Sequence, residues 1–310
     1  MLVYDIGLRQ RFRGIVRRQG VVWQTERGWV EWSPFLDYGP PEAAAWLRAA
    51  REVERRGWPQ PLRREVPVNV TVPAVDPATA HRLVAGSGCA TAKVKVAEAG
   101  QSLADDLARV EAVRDALGAD GRLRVDANGA WTVDQAEHNL IALDRFTLEY
   151  AEQPCATVPE LAELRRRVGR RGLLIAADES IRRADDPERV VAERAADIAV
   201  LKVQPLGGIW RCLELAQRLA LPVVVSSALE TSVGLAMGVA LAAALPELPY
   251  ACGLDTARLL TADVTDEPLA AIDGMLPVRP VTVDPGRAVW AGEAVARRWG
   301  RRWDEVSGRA

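Results

Sequence analysis

The stretch Thr91-Ala92-Lys93-Val94-Lys95-Val96-Ala97 contains two of the three lysines in this chain of 310 residues, and the third is Lys202. The other 37 basic residues are arginine. A lysine can lose its proton near neutral pH where its surroundings lower its pKa, whereas an arginine stays charged. The retention of lysine therefore predicts an exchangeable proton here, with chance survival of three surface lysines as the alternative.

Lys93 and Lys95 stand two residues apart in a run of β-branched residues. On a strand, side chains two positions apart point to the same face, so Val94 and Val96 would occupy the opposite face. This alternation predicts a strand with one functional face and argues against chance survival.

Residues 67–278, on both sides of this strand, alternate short apolar runs with segments of helical spacing. Such alternation implies parallel pairing, and eight strands favour a closed α/β barrel over an open sheet. A glycine-rich phosphate-binding fingerprint is missing, which disfavours a dinucleotide-binding doubly wound sheet. The predicted strands are 68–72, 92–96, 123–126, 148–151, 173–177, 198–203, 222–226 and 251–254. The predicted helices include 102–117, 132–143, 158–168, 208–219 and 231–245.

Residues 1–66 do not follow this repeat and predict a separate α+β unit. Three antiparallel strands are expected at 2–16, 21–25 and 29–32, before a loop rich in proline at 33–41 and a helix at about 42–56. The repeat ends at about residue 278. Residues 279–310, with a helix predicted at 293–303, are expected to pack against this N-terminal unit and complete it.

Polar residues interrupt the apolar runs near their C-terminal ends at regular intervals. The intervals are 31, 26, 26, 24 and 24 residues, each about one strand-loop-helix unit. In a parallel barrel, the C-terminal ends of the strands surround one mouth, where the active sites of this architecture lie. The six residues are Lys95, Asp126, Glu152, Asp178, Lys202 and Ser226.

Asp126, Glu152 and Asp178 would bring three carboxylates into one small space. Their charges would repel one another unless a cation neutralises them. Oxygen ligands without histidine or cysteine suit Mg²⁺, with Mn²⁺ as a substitute. In the alternative interpretation each carboxylate caps a helix or pairs with an arginine, which requires three coincidences at matched spacing.

Lys95 and Lys202 would lie on opposite sides of this metal, because their strands flank the three acidic strands. Two lysines so placed are suited to removing a proton from the carbon next to a metal-bound carboxylate. The metal would act as a Lewis acid for the enediolate that forms. We therefore expect an enzyme that acts on a small carboxylate.

The composition excludes several other classes of protein. Net charge is −2 and no basic run is interleaved with aromatic residues, so nucleic acid is not expected as a partner. The longest apolar region, 233–245, is too short to span a membrane. Four scattered cysteines indicate a reducing cytoplasm, and the two histidines fall in helical patterns, which disfavours a histidine zinc site or a serine-histidine-aspartate triad. No obligate protein partner is evident.

These motifs resemble those of the enolase superfamily, and the resemblance runs over essentially the whole chain. It implies a capping domain, here residues 1–66 completed by 279–310, and a modified (β/α)₇β barrel, here 67–278, with essential Mg²⁺. The matching segments are Lys93-Val94-Lys95, Val125-Asp126-Ala127-Asn128, Glu152-Gln153-Pro154, Ala177-Asp178-Glu179-Ser180 and Leu201-Lys202-Val203.

The two-lysine arrangement resembles the muconate-lactonising branch, which includes cycloisomerases, dipeptide epimerases, N-succinylamino acid racemases and o-succinylbenzoate synthases. Segments 123–131, 152–155 and 226–234 look most like the last of these groups. This resemblance implies a dehydration in menaquinone biosynthesis, with Lys95 as the base that returns its proton to the departing hydroxyl and Lys202 as a cation beside the enediolate. A racemase or epimerase of the same branch, and a non-catalytic metabolite-binding barrel, remain alternatives.

Four further residues are expected to bind substrate: Lys93, Asn128, Ser226 and Ser227. Each has a structural alternative. Lys93 would support a ligand carboxylate, Asn128 would form a turn, and the serines would simply end a strand. The loop 33–41 is the expected lid over the mouth, although it lacks an arginine with which to grip a carboxylate.

Overall fold

The N-terminal part of the computed structural model, which describes residues 1–183 and 186–310, is a three-stranded antiparallel sheet and a helix. The single strand predicted at 2–16 is wrong, because the chain reverses at Arg13 and Gly14, where φ is 49° and 75°. Positive φ at two successive residues is the geometry of a tight hairpin turn. The elements are β1 (Leu2–Phe12), β2 (Ile15–Thr25), β3 (Gly28–Trp32) and α1 (Pro40–Arg56).

A seven-stranded parallel sheet, whose strands lie side by side in chain order, follows this unit. Its strands are short valine-rich and alanine-rich runs, as expected where helices cover a parallel sheet. The strands of this sheet are β5 (Val70–Val72), β6 (Thr91–Lys95), β7 (Arg122–Asp126), β8 (Leu148–Glu152), β9 (Ile175–Ala177), β10 (Ile198–Leu201) and β11 (Val223–Val225). Two further strands, β4 (Glu65–Pro67) and β12 (Met275–Pro277), lie outside it. The short strands β4 and β12 pair with each other, antiparallel.

Residues 251–254, predicted as the eighth strand, form isolated bridges instead of a strand. Cys252 bridges in parallel to Val68, just before β5, and Gly253 bridges to Ser226, just after β11. The two edges of the sheet are therefore linked through this segment, which explains why its sequence reads as strand-like.

Helices cover the sheet, and several begin where the sequence places a cap. Ser102 and Thr132 accept hydrogen bonds from the backbone N–H groups of Asp105 and Gln135, as N-caps do. The helices are α2 (Pro77–Ala85), α3 (Leu103–Leu117), α4 (Val133–Leu143), α5 (Val158–Val168), α6 (Glu179–Arg182), α7 (Arg189–Ala192), α8 (Val203–Leu206), α9 (Ile209–Leu219), α10 (Ser232–Ala244) and α11 (Glu293–Ser307). None of the helices in the described ranges is long and apolar enough to cross a bilayer.

Helix α11 packs against the N-terminal sheet through edge-to-face indole contacts. The Trp32 ring centroid lies 5.3 Å from that of Trp299 and 5.4 Å from that of Trp303. Such pairs add roughly 0.5–1.5 kcal/mol each beyond their buried area. These contacts fix the C-terminal helix to the N-terminal sheet.

Candidate active site

The six polar residues predicted at the strand ends come together at the C-terminal end of the parallel sheet. Lys95, Asp126 and Glu152 are the last residues of β6, β7 and β8, and they are in register with one another. The remaining three directly follow β9, β10 and β11. These three are Asp178, Lys202 and Ser226.

Each of the three carboxylates is buried and contacts a lysine. Lys93 Nζ lies 2.7 and 2.8 Å from the two oxygens of Glu152. Lys95 Nζ lies 2.6 Å from Asp126 Oδ2, and Lys202 Nζ lies 2.6 Å from Asp178 Oδ2. The contact of Lys93 favours the interpretation of this lysine as support for a ligand carboxylate.

The pKa values of these carboxylates are displaced in different directions. Burial, together with the charges of Asp126 and Asp178, outweighs the opposing effect of Lys93 and raises the pKa of Glu152 to about 7. Burial also opposes ionisation of Asp126, but Lys95 and Lys93 outweigh it and hold the pKa of that carboxyl below its usual range. For Asp178, burial is outweighed by Arg182 and Lys202, so the pKa falls to about 2. Of the three carboxyls, Glu152 is therefore the one whose ionisation the site favours least.

The donor set fits a hard divalent cation, although the carboxylates face other partners in this structure. Within residues 1–183 and 186–310, no three histidine, cysteine, aspartate or glutamate side chains are grouped as metal ligands. The oxygens of Asp126, Glu152 and Asp178 are directed instead at ammonium and guanidinium groups. Three buried carboxylates on adjacent strands form the oxygen-rich environment that Mg²⁺ or Mn²⁺ prefers.

Arg182 is a site residue that the sequence analysis missed. It lies at the end of α6, four residues after Asp178, and its Nε donates to Asp178 Oδ1 at 2.9 Å. Its Nη2 donates to Glu179 Oε1, and its Nη1 donates to the Tyr38 hydroxyl at 2.9 Å. The four-residue spacing after the acidic strand end was the only local signal, and one among 37 arginines carries little weight.

Gln153 joins the loops that follow β8 and β9. The sequence indicated no role for this residue. Its Oε1 accepts hydrogen bonds from the backbone N–H groups of Asp178 and Ser180, at 2.9 and 3.1 Å. Its Nε2 donates to Ser180 Oγ at 2.7 Å. The buried amide therefore fixes the backbone on which Asp178 stands relative to Glu152.

Asn128 lies between Lys95 and Glu179. Its Oδ1 accepts from Lys95 Nζ at 2.6 Å, and its Nδ2 donates to Glu179 Oε1 at 3.2 Å. Its φ of 48° places it in a turn, and its binding of substrate stays a prediction. The amide orients the ammonium group of Lys95.

A cavity of about 510 Å³ opens over these residues. Ser226 and Ser227 line it, and Ser227 Oγ lies 2.6 Å from Thr256 Oγ1. The loop 33–41, predicted as the lid, contributes Phe35 and Tyr38 to the lining.

The β1–β2 hairpin tip, 11–14, also lines the cavity and was missed as part of the lid. The Phe12 ring centroid lies 5.6 Å from Lys95 Nζ. Arg13 stacks 4.0 Å from the Phe35 centroid and pairs with Asp37, which joins the hairpin tip to the loop 33–41. The hairpin tip thus places Arg11 and Arg13 at the cavity, and the guanidinium of Arg13 is occupied by Asp37.

Two family models match the chain. The model described as enolase C-terminal domain-like matches residues 77–289, and the model described as enolase N-terminal domain-like matches residues 3–53. A protein from Thermobifida fusca (strain YX) named o-succinylbenzoate synthase is 60% identical over 98% of this chain and 96% of its own length. A protein of the same name from Mycolicibacterium smegmatis is 52% identical over 96% of this chain and 91% of its own length.

Solved structures with the same fold include muconate lactonizing enzyme from Pseudomonas putida, which has a TM-score of 0.73 at 20% identity and covers 97% of both chains. Dipeptide epimerase from Enterococcus faecalis V583, complexed with Mg and the dipeptide L-Leu-L-Tyr, has a TM-score of 0.75 at 21% identity. It covers 91% of this chain and 96% of its own. At these identities the likeness establishes the fold alone.

Proposed function

This chain belongs to the o-succinylbenzoate synthase family of the enolase superfamily, and we propose that it catalyses the Mg²⁺-dependent syn dehydration of 2-succinyl-6-hydroxy-2,4-cyclohexadiene-1-carboxylate to 2-succinylbenzoate. The reaction is that of a carbon–oxygen lyase in menaquinone biosynthesis, which we place in the cytoplasm. The observation that carries the proposal is that Lys95 and Lys202 flank three buried carboxylates beneath one cavity. We further propose residues 1–66 with 279–310 as the capping domain and 67–278 as the catalytic domain.

In this proposal Asp126, Glu152 and Asp178 hold Mg²⁺, with Mn²⁺ as a substitute. When bound, the cation supplies Lewis-acid stabilisation of the negative charge that develops on the ring carboxylate of the substrate. The raised pKa of Glu152 supports this assignment, because a divalent charge would compensate the repulsion among the three groups. Lys93 contacts both oxygens of Glu152 and holds that carboxylate in place.

Lys95 acts as the base that removes the proton from the ring carbon next to the carboxylate. The same ammonium group then returns the proton to the hydroxyl on the adjacent carbon, so a C–H and a C–O bond break and water leaves. The hydrogen bond to Asn128 holds Nζ in one direction during both steps. Because the product is aromatic, one lysine acting as base and then as acid is sufficient.

Lys202, on the opposite side of the site, stays charged and faces the other side of the ring. Its contact with Asp178 Oδ2 fixes its position. A cation there stabilises the enediolate electrostatically. Ser226 and Ser227, at the far wall of the cavity, are suited to donating hydrogen bonds to the succinyl carboxylate.

A racemase or epimerase acting on an N-succinylamino acid or dipeptide is a second candidate. The arrangement of a lysine on each side of the acidic group supports it, because inversion at a carbon needs a base and an acid on opposite faces. A metabolite-binding barrel without catalysis is a candidate of another class. It leaves unexplained why lysine is retained only at 93, 95 and 202, where arginine would preserve the charge.

A steady-state assay of the purified chain separates these candidates. Dehydration of the cyclohexadiene substrate with Mg²⁺ is followed by ultraviolet absorbance, and racemisation of N-succinylamino acids by polarimetry. We expect fast, EDTA-sensitive dehydration with slow racemisation. Efficient racemisation with feeble dehydration supports the racemase or epimerase. Substrate binding without turnover supports the non-catalytic barrel.

A further inference from the structure

Arg182 occupies a junction between the N-terminal unit and the acidic site. Its side chain is 92% buried, with 8% exposed, although it lines the cavity. The three guanidinium nitrogens each have a different partner: Asp178, Glu179 and the Tyr38 hydroxyl. A guanidinium group presents its donors in a rigid fork, so movement of one partner displaces the donors offered to the other two.

Two hydrogen-bonded branches lead from Arg182 to the two lysines. One passes through Asp178, whose Oδ1 accepts from Arg182 Nε and whose Oδ2 contacts Lys202. The other passes through Glu179 to Asn128, which in turn contacts Lys95. Arg182 therefore fixes the orientation of groups on both sides of the site.

Tyr38 belongs to the loop 33–41, so the position of its hydroxyl depends on the position of the loop. Its ring packs edge-to-face against Phe35 and Trp46, with centroids 5.7 and 6.1 Å away. Arg302 of α11 donates to the carbonyl oxygen of Tyr38 at 2.8 Å. Contacts with the loop, α1 and α11 thus hold Tyr38, whose hydroxyl Arg182 contacts.

We propose that Arg182 is a positioning residue that couples the seated loop 33–41 to the carboxylate of Asp178. With Tyr38 in place, the guanidinium holds Asp178 Oδ1 and leaves Oδ2 directed towards the interior of the site. When the loop moves away, Arg182 loses its outer support and Asp178 its fixed orientation. The inference rests on the proposed function in taking Asp178 as a metal ligand, but it concerns residues of this chain alone.

The test measures Mn²⁺ affinity in the full chain without substrate, by electron paramagnetic resonance of the free ion, together with kcat and KM. Arg182→Lys keeps the charge and removes the fork. We expect it to weaken Mn²⁺ binding about tenfold to a hundredfold, the usual cost of losing a partner that orients a ligand. Tyr38→Phe removes one hydroxyl and keeps the ring packing, and we expect about a threefold to tenfold loss in the same direction.

Arg165→Lys is the matched control, because Arg165 forms a similar double contact with Asp197 Oδ1, at 2.8 and 2.6 Å, next to the N-terminal end of β10. It is expected to leave Mn²⁺ affinity unchanged. In the double variant, Tyr38→Phe should add no further loss to that of Arg182→Lys, since both act through one contact.

Wild-type Mn²⁺ affinity in Arg182→Lys or in Tyr38→Phe overturns the proposal. Losses of affinity that simply multiply in the double variant also overturn it. If Arg182→Lys does not fold, Tyr38→Phe alone decides the matter. A wild-type chain that fails to dehydrate the substrate while both variants still bind Mn²⁺ more weakly refutes the proposed function and supports the coupling. A wild-type chain that dehydrates the substrate normally while both variants bind Mn²⁺ normally supports the proposed function and refutes the coupling.

Discussion

Lys93 Nζ lies within 2.8 Å of both carboxylate oxygens of Glu152, and neither side chain is accessible from the cavity to any large extent. The lysine is the nearest positive charge to a carboxyl whose pKa burial raises to about 7. The positive charge of Lys93 offsets the repulsion that Glu152 experiences from Asp126 and Asp178.

We expect Lys93→Met to destabilise the fold. The substitution keeps the length of the side chain but leaves Glu152 buried without its partner, a change that typically costs about 3–5 kcal/mol. Urea unfolding at pH 7 without metal measures this loss. Added Mg²⁺ should restore part of it in the variant, since the cation supplies the missing charge. Equal unfolding free energies for variant and wild type would contradict this account of Lys93.

Lys95→Arg and Lys202→Arg are expected to differ in their effects on turnover. Arginine preserves the positive charge and does not release its proton. Lys95→Arg should therefore reduce kcat by at least about 10²-fold, the typical contribution of a general base, while Mg²⁺ binding survives. Lys202→Arg should reduce kcat less, because its proposed role requires only charge. Equal losses in the two variants would refute the division of roles, and retained activity in Lys95→Arg would refute the mechanism.

The expectation of an enolase-like α/β barrel with an N-terminal α+β unit is confirmed. Both could be predicted because local patterns indicate them: the repeat of strands and helices for the barrel, and three strands before a helix for the N-terminal unit. The strand predicted at 2–16 is interrupted by the turn at Arg13 and Gly14. Arg13 adopts a positive φ there, which cannot be predicted from an arginine. The eighth strand at 251–254 was apolar enough to predict but pairs only through isolated bridges.

The regular spacing of acidic residues and lysines was sufficient to select the residues that the structure brings to one mouth. Contacts between distant parts of the chain were beyond that reasoning. Arg182 and Tyr38 are 144 residues apart, and Thr231 and Glu31 are 200 apart. Thr231 reads as an N-cap for α10, yet it is Glu31 of β3 that accepts from the Gly234 N–H, at 2.9 Å. No local pattern distinguishes such an arginine or glutamate from those on the surface.

Phe12, at the hairpin tip, is expected to shield Lys95 from water. Its ring stands 5.6 Å from the ammonium group, and the tip is joined to the loop 33–41 through Arg13. Phe12→Ala opens this side of the cavity, and we expect kcat/KM to fall about tenfold because water competes for the base. Val16→Ala, an exposed position on the same hairpin, is the control and should leave kcat/KM unchanged. A loss of equal size in both variants would indicate a general effect on the hairpin.

Glu230, beside the start of α10, should make the stability of the fold depend on pH. Burial raises its pKa to about 7, with the charge of Glu31 adding to the effect and that of Arg18 opposing it. The backbone N–H of Ala228 donates to Glu230 Oε2 at 2.7 Å. Because the folded-state pKa lies above the ordinary value of 4.5, the folded chain binds the proton more tightly than the unfolded chain. The resulting stabilisation is complete below about pH 4.5 and is lost as the pH rises to and through about 7.

Glu230→Gln should remove this dependence, since the amide is neutral at every pH and its oxygen can still accept from the Ala228 N–H. We expect the variant and the wild type to unfold with similar free energies at pH 5, and the variant to be more stable by about 2 kcal/mol at pH 8. Glu31→Gln is the contrasting control. Glu31 accepts from Tyr4, Ser33 and the N–H of Gly234, so its loss of charge should destabilise the fold at pH 8 instead. Urea unfolding of all three proteins at the two pH values provides the measurement. A Glu230→Gln variant that gains nothing between pH 5 and pH 8 would show that this carboxyl titrates alike in the folded and unfolded chains.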